Sequence, residues 1–236
     1  MPRRFIARYA ESPEDVRMAQ ALRGRVFRQG RADVDGFDKS CIHVLVEDIT
    51  EGKIACTFRI QPFENGSEIF SSYAAQFYEL SALKAYPGKL VEMGRFCIDP
   101  RYSNPDILRA AWGMMTQYVD ENSVKMLFGC SSFIGAEAEA HLEAFALLKA
   151  RHLAPRKYLP KIKAPKVFRF ARLMRKPNLR AAQHAMPPLL RTYLLMGGWT
   201  SDHAVVDKDL DTLHVFTGLE IGAIPAARKR LLRASA

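Results

Sequence analysis

Leu90-Val91-Glu92-Met93-Gly94-Arg95-Phe96-Cys97-Ile98-Asp99 is an apolar run that carries Glu92 and Arg95 and is closed by Pro100. Its content and its proline stop predict a central β-strand. Strict alternation sends Glu92 and Arg95 to opposite faces. A glycine inside a strand, however, often marks a bulge, which inserts one residue and resets the alternation. A bulge at Met93-Gly94 puts Glu92 and Arg95 on one face and turns a backbone N–H away from its ladder partner. A carboxylate, a guanidinium and a diverted N–H are the parts of an acyl-transfer site. The carboxylate takes a proton from an attacking amine, and the N–H stabilises a developing oxyanion. The same residues also make an ordinary strand-end ion pair, and the stretch alone does not decide between the two.

Outward from this strand the chain reads as mixed. Residues 5–10 are strand-like. Ser12 is placed as the N-cap of a helix opened by Pro13, with Val16, Ala19, Arg23, Val26 and Phe27 on one stripe. Arg23 therefore sits in the apolar register, where an unpaired charge is expensive, and it needs a carboxylate or a ligand. Residues 41–48 and 54–60 read as strands joined by the turn Thr50-Glu51-Gly52-Lys53. In the second, Ile54, Cys56, Phe58 and Ile60 share one face, and Arg59 projects from the other with Ala55 and Thr57. Helices are predicted over 72–86, 106–122 and 137–151, and strands over 126–133, near Ala204 and over 212–217. A short helix runs from Pro187-Pro188 to Met196, before the break at Gly197-Gly198. This order predicts an α+β fold, an α/β sandwich about one mixed sheet flanked by helices. With no internal repeat and no long linker, one domain over residues 1–236 is expected.

The composition excludes several classes. At 236 residues, 48% hydrophobic and 25% charged, the chain is globular rather than disordered or fibrous. No apolar run approaches the roughly 18–20 residues needed to span a bilayer. The first ten residues are basic, and Glu11, Glu14 and Asp15 arrive before any apolar core of a signal, so no secretory signal is expected. Cys41, Cys56, Cys97 and Cys130 are far apart in apolar contexts, which predicts buried thiols in a reducing, cytosolic compartment rather than disulfides or a zinc cage. The six histidines show no metal-ligand spacing, so no metal is expected. No Gly-rich nucleotide loop and no G-x-S-x-G occurs. Asp202, Asp207, Asp209 and Asp211, near His203 and His214, read as a solvated turn in preference to a hydrolase dyad.

The charge is uneven. Of a net +10, residues 144–201 contribute thirteen basic side chains and no acidic one, which leaves the rest of the chain at −3. Such a block attracts polyanions. Within it, residues 165–176 carry Val167, Phe170, Ala171 and Met174 at helical spacing, with Phe168 and Leu173 widening the apolar side and Lys166, Arg169, Arg172, Arg175 and Lys176 around it. A basic amphipathic helix of this kind binds membrane interfaces, and each basic group near an anionic surface adds about 1 kcal/mol. Polar base-reading side chains are scarce, so a membrane or an acidic protein is favoured over nucleic acid.

Arg23-x-x-x-Phe27, Asp35-Gly36-Phe37-Asp38, Arg59 in a T-F-R-I strand and Glu92-Met93-Gly94-Arg95-Phe96, taken in order, resemble the acyl-homoserine-lactone synthases. Those enzymes belong to the broad Gcn5-related N-acetyltransferase (GNAT) fold, and the resemblance covers about the first 130 residues. Pro187-Pro188-Leu189-Leu190-Arg191-Thr192-Tyr193-Leu194 and Leu213-His214-Val215-Phe216-Thr217-Gly218-Leu219-Glu220 look like the bacterial ornithine N-acyltransferases of ornithine-lipid synthesis.

The resemblance implies a GNAT-like sheet with a basic helical insertion, and transfer of a 3-hydroxyacyl chain from acyl carrier protein to the α-amine of L-ornithine, giving lyso-ornithine lipid. It implies Glu92 as base, backbone amides around Gly94, Arg95 and Phe96 for the oxyanion, and Arg23, Phe27, Asp35, Asp38 and Arg59 about the substrate. Arg23, Arg59 or Arg95 is left for the ornithine carboxylate, and Asp35 or Asp38 for its side-chain ammonium. The stretch after the central strand, Pro100-Arg101-Tyr102-Ser103-Asn104-Pro105-Asp106, has no glycine for a CoA diphosphate, which fits a carrier-protein donor. No bound cofactor is implied. The partners implied are acyl carrier protein and the anionic cytoplasmic face of the inner membrane. The tryptophan that the homoserine-lactone synthases carry shortly after Phe27 is missing, which weighs against S-adenosylmethionine as acceptor. A nucleic-acid-binding module accounts for the basic block but leaves Arg23, Arg59, Glu92 and Arg95 without a role.

Overall fold

Ser12 and Pro13 open the first helix as their chemistry requires, with the Ser12 hydroxyl accepting the Asp15 N–H at 3.1 Å. In a computed structural model, which describes residues 3–233, the elements follow in chain order. They are β1 (Phe5–Tyr9), α1 (Pro13–Phe27), β2 (Ile42–Asp48), β3 (Lys53–Phe63), β4 (Tyr78–Glu79), β5 (Leu90–Ile98), α2 (Pro105–Glu121), β6 (Met126–Ile134), α3 (Leu142–Arg151), β7 (Lys161–Ile162), β8 (Val167–Phe168), α4 (Leu179–Ala185), α5 (Pro188–Leu195), β9 (Trp199–Asp207), β10 (Thr212–Glu220) and α6 (Ala226–Arg233). The ends of the 1–236 span, including the start of the basic N-terminal stretch, lie outside the described residues.

Eight strands form one mixed sheet in the order β1-β2-β3-β5-β6-β10-β9-β8, and β4 pairs with β7 separately. The sheet is flanked by helices, the α+β arrangement that the element order predicts. The β1–β2, β2–β3, β6–β10, β9–β10 and β8–β9 pairs are antiparallel. β5 and β6 are parallel, registered from Leu90↔Met126 to Glu92↔Phe128.

The chain groups into two compact units interleaved in sequence. The first comprises β1, α1, β2, β3 to Pro62, β5 from Met93, α2 and α6. Its core gathers Phe5, Leu22, Val44, Phe58, Ile60, Ala111 and Met115. β3 is buried along both faces, so Arg59 lies inside the protein opposite the apolar side chains of Cys56 and Phe58. Asn104 caps α2 through its side chain, accepting the Asp106 N–H at 2.8 Å. The second unit, residues 63–92 and 125–225, holds two apolar clusters. One centres on Tyr78, Leu90, Phe128, Trp199 and Phe216. The other joins Phe133, Phe145, Phe170, Leu190 and Val215.

Four local expectations are corrected. Residues 72–86 are not one helix but 3-10 turns at Ala74–Gln76 and Ser81–Leu83 around β4. Side chains tie the backbone down there: Glu92 takes the N–H groups of Tyr73 and Ala74, Ser72 Oγ takes that of Ala75, and Glu79 takes that of Ser81. Residues 165–176 do not form the amphipathic helix. Val167 and Phe168 pair with Val205 and Ala204 as β8, and Phe168 and Phe170, two residues apart, both pack on the Phe145 ring at 5.4 and 5.2 Å. That is a strand's period, favoured by a β-branched–aromatic pair, and Pro177 disfavours helix in the residue before it. The helices of the basic segment are instead the end of α3, α4 and α5. The helix over 137–151 begins as a 3-10 turn, Ala138–His141, before α3. Finally, Asp202 and His203 stand within β9 rather than in a solvated turn; Asp207 makes that turn, accepting the N–H groups of Asp209 and Leu210.

Gly24 lets the segment after α1 come close. The Gly30 N–H reaches the Gly24 carbonyl at 2.9 Å, and a Cβ on Gly24 would stand 2.1 Å from the Arg31 carbonyl oxygen. Gly24→Ala is expected to lower stability by about 1–3 kcal/mol through overpacking, seen as a lower midpoint in urea unfolding monitored by circular dichroism.

Candidate active site

Arg23 faces the interior because α1 presents it in the apolar stripe, and it is 1% exposed. Its guanidinium makes four hydrogen bonds to two aspartates. Nε donates to Asp33 Oδ2 at 2.9 Å, Nη1 to Asp38 Oδ1 at 2.7 Å, and Nη2 to the Asp33 carbonyl at 2.5 Å and Asp38 Oδ2 at 3.1 Å. Arg59, from the centre of β3, donates to Asp35 at 2.6 and 2.8 Å and to Asp38 at 2.8 Å. From β5, Arg95 donates to Asp33 at 3.0 Å and Asp35 at 3.3 Å. Arg28 closes the lattice on Asp33 at 3.1 Å. Four arginines and three aspartates thus form one connected ionic cluster. The segment that carries the acids is shaped to supply them: Asp35 caps the turn Gly36–Lys39 and forms a reciprocal capping box with Asp38.

Burial works to neutralise Asp38, but the hydrogen bonds and charge of Arg23 outweigh it and hold its carboxyl well below the usual carboxylate range. At Asp33 the burial is likewise overcome, by the charges of Arg95 and Arg23. Burial opposes the charge on Arg59, yet its hydrogen bonds to Asp35 raise its pKa. Burial pushes His43 below the usual histidine range, so the ring beside Asp38 is neutral near pH 7, with Nε2 donating to the Asp38 carbonyl at 3.0 Å.

Arg95 has φ +53°, so the left-handed backbone of β5 falls on it, one residue past the expected Met93-Gly94. A non-glycine residue there is strained by about 1–2 kcal/mol, and its two aspartate partners hold it. Gly94 passes over Arg59, where an added Cβ would meet Nε at 3.6 Å, an ordinary contact. Phe96 stacks on Phe58 at 5.7 Å, and Phe27 is half-buried at the end of α1.

Glu92 lies in the second unit at 4% exposure. Its two oxygens accept the Tyr73 and Ala74 N–H groups, each at 2.7 Å, and its charge reinforces burial in raising the Tyr193 phenol pKa. The structure thus gathers Arg23, Asp35, Asp38, Arg59 and Arg95 into one cluster and gives Glu92 backbone amides as partners. Sequence reasoning missed Asp33, the acid shared by three arginines; the available signal was the triplet Asp33, Asp35, Asp38 ten or more residues beyond a cation in an apolar register.

In the basic segment, Lys166, Arg169, Arg172 and Lys176 are exposed, and Arg175 reaches Glu143. Burial pushes the Cys97 thiol up to about 12 and the Cys56 thiol well above its usual value, which removes both as nucleophiles at neutral pH. His203 donates through Nδ1 to Asp202 at 2.6 Å, and its buried Nε2 has no partner among the described residues. No group of three or more His, Cys, Asp or Glu side chains among the described residues is arranged to hold a metal ion. No helix among them is long and apolar enough to cross a membrane.

Residues 18–113, which carry the whole cluster and Glu92, match the family described as acetyltransferase (GNAT) domain. Fold and match together define an acyltransferase. An N-acyl amino acid synthase from uncultured soil microbes has the same fold, at a TM-score of 0.50 and 15% identity over 93% of each chain. A Brucella abortus protein named L-ornithine N(alpha)-acyltransferase is 31% identical over 92% of this chain and 84% of its own. One of the same name from Rhodobacter capsulatus is 28% identical over 94% of this chain and 92% of its own. The chain belongs to the L-ornithine N(alpha)-acyltransferase family.

Removing one member of a buried ionic cluster strands its partners. Arg23→Met is expected to lower stability by about 3–5 kcal/mol, measured by urea unfolding. The pH dependence has a definite sign. Asp33 and Asp38 are held below their unfolded values, so their contribution is complete above about pH 4 and is lost as pH falls further through their folded values. Thermal midpoints should drop on acidification below about pH 4, and less steeply in Asp38→Asn.

Proposed function

We propose that the chain moves a 3-hydroxyacyl group from an acyl-carrier-protein thioester to the α-amine of L-ornithine, giving lyso-ornithine lipid. The observation that carries this reading is the end-to-end kinship with proteins named for that acceptor and that bond. The amine nitrogen attacks the thioester carbonyl, a tetrahedral oxyanion forms, the C–S bond breaks, and the thiol leaves. One proton passes from the amine and one to the departing sulfur. A free α-amine titrates at about pH 8, so modest base assistance suffices. Glu92 is the base in this reading, directly or through one water, and the Tyr73 and Ala74 N–H groups hold its carboxylate in place. Backbone amides of Gly94, Arg95 and Phe96 are assigned to the oxyanion. The high thiol pKa values of Cys56 and Cys97 favour direct attack over an acyl-enzyme at either of them.

For the acceptor, Arg23 is the least available of the three arginines, being wholly turned to Asp33 and Asp38. Arg59 or Arg95 is better placed to share a substrate carboxylate. Asp35, whose side chain at 22% is the most exposed of the three acids, takes the side-chain ammonium. Carrier proteins are acidic, which suits the cations Lys166, Arg169, Arg172, Arg175 and Lys176, and these are assigned to carrier-protein or membrane contact. The expected location is the cytoplasm, at the inner face of the inner membrane. No bound cofactor is required.

Purified protein given 3-hydroxyacyl carrier protein is expected to release free thiol only when ornithine is present, with a product mass of ornithine plus the 3-hydroxy fatty acid less water. Release only with S-adenosylmethionine would assign it to signal synthesis, and no release with any amine would end the acyltransfer reading of this site. Glu92→Gln is expected to reduce turnover about 10²–10⁴-fold and to remove the acidic limb of the pH–rate profile; full turnover with an unchanged profile would exclude Glu92 as base.

A further inference from the structure

Outside the basic segment, several exposed arginines have acids close by: Arg17 with Glu14, Arg101 with Asp99, Arg109 with Asp106, Arg233 with Asp120. Within it, Arg172, Lys176, Arg180 and Arg191 are exposed with no acidic partner among the described residues. These four cations are close in the chain to large apolar side chains that point outward. Met174, between Arg172 and Lys176, is 99% exposed; Leu179 is 43% and Leu195 57% exposed. Between α4 and α5 runs an open groove of about 620 Å³ lined by Asn178, Arg180, Ala181, Gln183, His184 and Arg191. Arg191 Nη2 is fixed at its rim, donating to the Gln183 and Met186 carbonyls at 2.6 and 3.0 Å. Its remaining guanidinium N–H groups have no hydrogen-bond partner among the described residues. Leu195 follows Arg191 by one helical turn, on the same side of α5.

We propose that this α4–α5 face docks on an anionic bilayer, the groove of Arg180, His184 and Arg191 taking a lipid phosphate while Met174, Leu179 and Leu195 enter the interface. The inference rests on the reading that the product is a single-chain lipid, which one acyl chain holds at a membrane only weakly. Guanidinium groups with no internal acid match phosphate charge, and the His184 ring adds a hydrogen-bonding group at the groove. Isolated, protruding apolar side chains with no shaped pocket around them suit a fluid interface rather than a structured protein surface. The membrane contact thus belongs to a loop and two short helices, not to a helix over 165–176.

Co-sedimentation with vesicles of phosphatidylcholine containing phosphatidylglycerol, against phosphatidylcholine alone, tests this. The protein is expected to bind the anionic vesicles only, and less at high salt. The triple variant Met174→Asp/Arg180→Glu/Leu195→Asp, with an unchanged circular dichroism spectrum, is expected to bind on the order of tenfold or more weakly, while its ornithine-dependent thiol release with soluble donor is unchanged. Unchanged vesicle binding by the variant overturns the assignment of this face, and no binding by the wild type overturns membrane docking altogether. Thiol release lost with vesicle binding intact would mean that the carrier protein docks here instead. Displacement by inorganic phosphate beyond that by chloride at equal ionic strength would give the groove to free phosphate. If vesicle binding follows the prediction but no thiol is released with ornithine, the fault lies in the acceptor reading and not in this face.

Discussion

A guanidinium carried into the apolar register of a helix has to find its counter-charges inside the fold, and Arg23 imposes that demand on everything around it. The chain answers by turning back after α1 so that Asp33 and Asp38 close on the guanidinium. Gly24 permits the approach. The acids brought in then need cations of their own, and Arg59 and Arg95 come from two strands of the sheet to meet them. A charge pair inside protein is worth little against well-packed apolar residues but a great deal against half of itself. The cluster is therefore hard to dismantle piecemeal, and it fixes how α1, β3 and β5 are related within their unit.

The chemistry depends on what this arrangement leaves over. Asp33 and Asp38 are engaged on nearly every lone pair, and burial keeps their arginines in place. Asp35 retains more solvent contact. Glu92 is held differently, by two backbone N–H groups, so that it is oriented by the segment at Tyr73 and Ala74. A carboxylate anchored by backbone amides has little freedom to reorient, which is what a positioned base requires.

Much of this was legible in the sequence, and the failures have physical causes. Ser12-Pro13, the turn at Glu51-Gly52 and the Pro187-Pro188 start are local signals, and the elements they mark are present. Arg23 announced a partner through periodicity alone. Asp33 was missed because an acid in a loop reads as solvated unless one knows which cation folds back over it. Residues 72–86 and 165–176 have helical spacing, but side-chain ties to the backbone decide the first, and capture by β9 and the Phe145 ring decides the second. Neither influence is visible within a window of the chain. Tertiary contacts likewise draw Asp202 and His203 into a strand.

The ionic cluster behaves in this picture as one cooperative object rather than a set of pairs, and a double-mutant cycle measures that directly. Arg23 and Arg95 lie on different elements and share Asp33 Oδ2, at 2.9 and 3.0 Å. Urea unfolding of Arg23→Met, Arg95→Met and the double variant yields their coupling. A cooperative cluster predicts a departure from additivity of at least about 1 kcal/mol. Losses that add to within about 0.5 kcal/mol would show two independent ion pairs, and would contradict it.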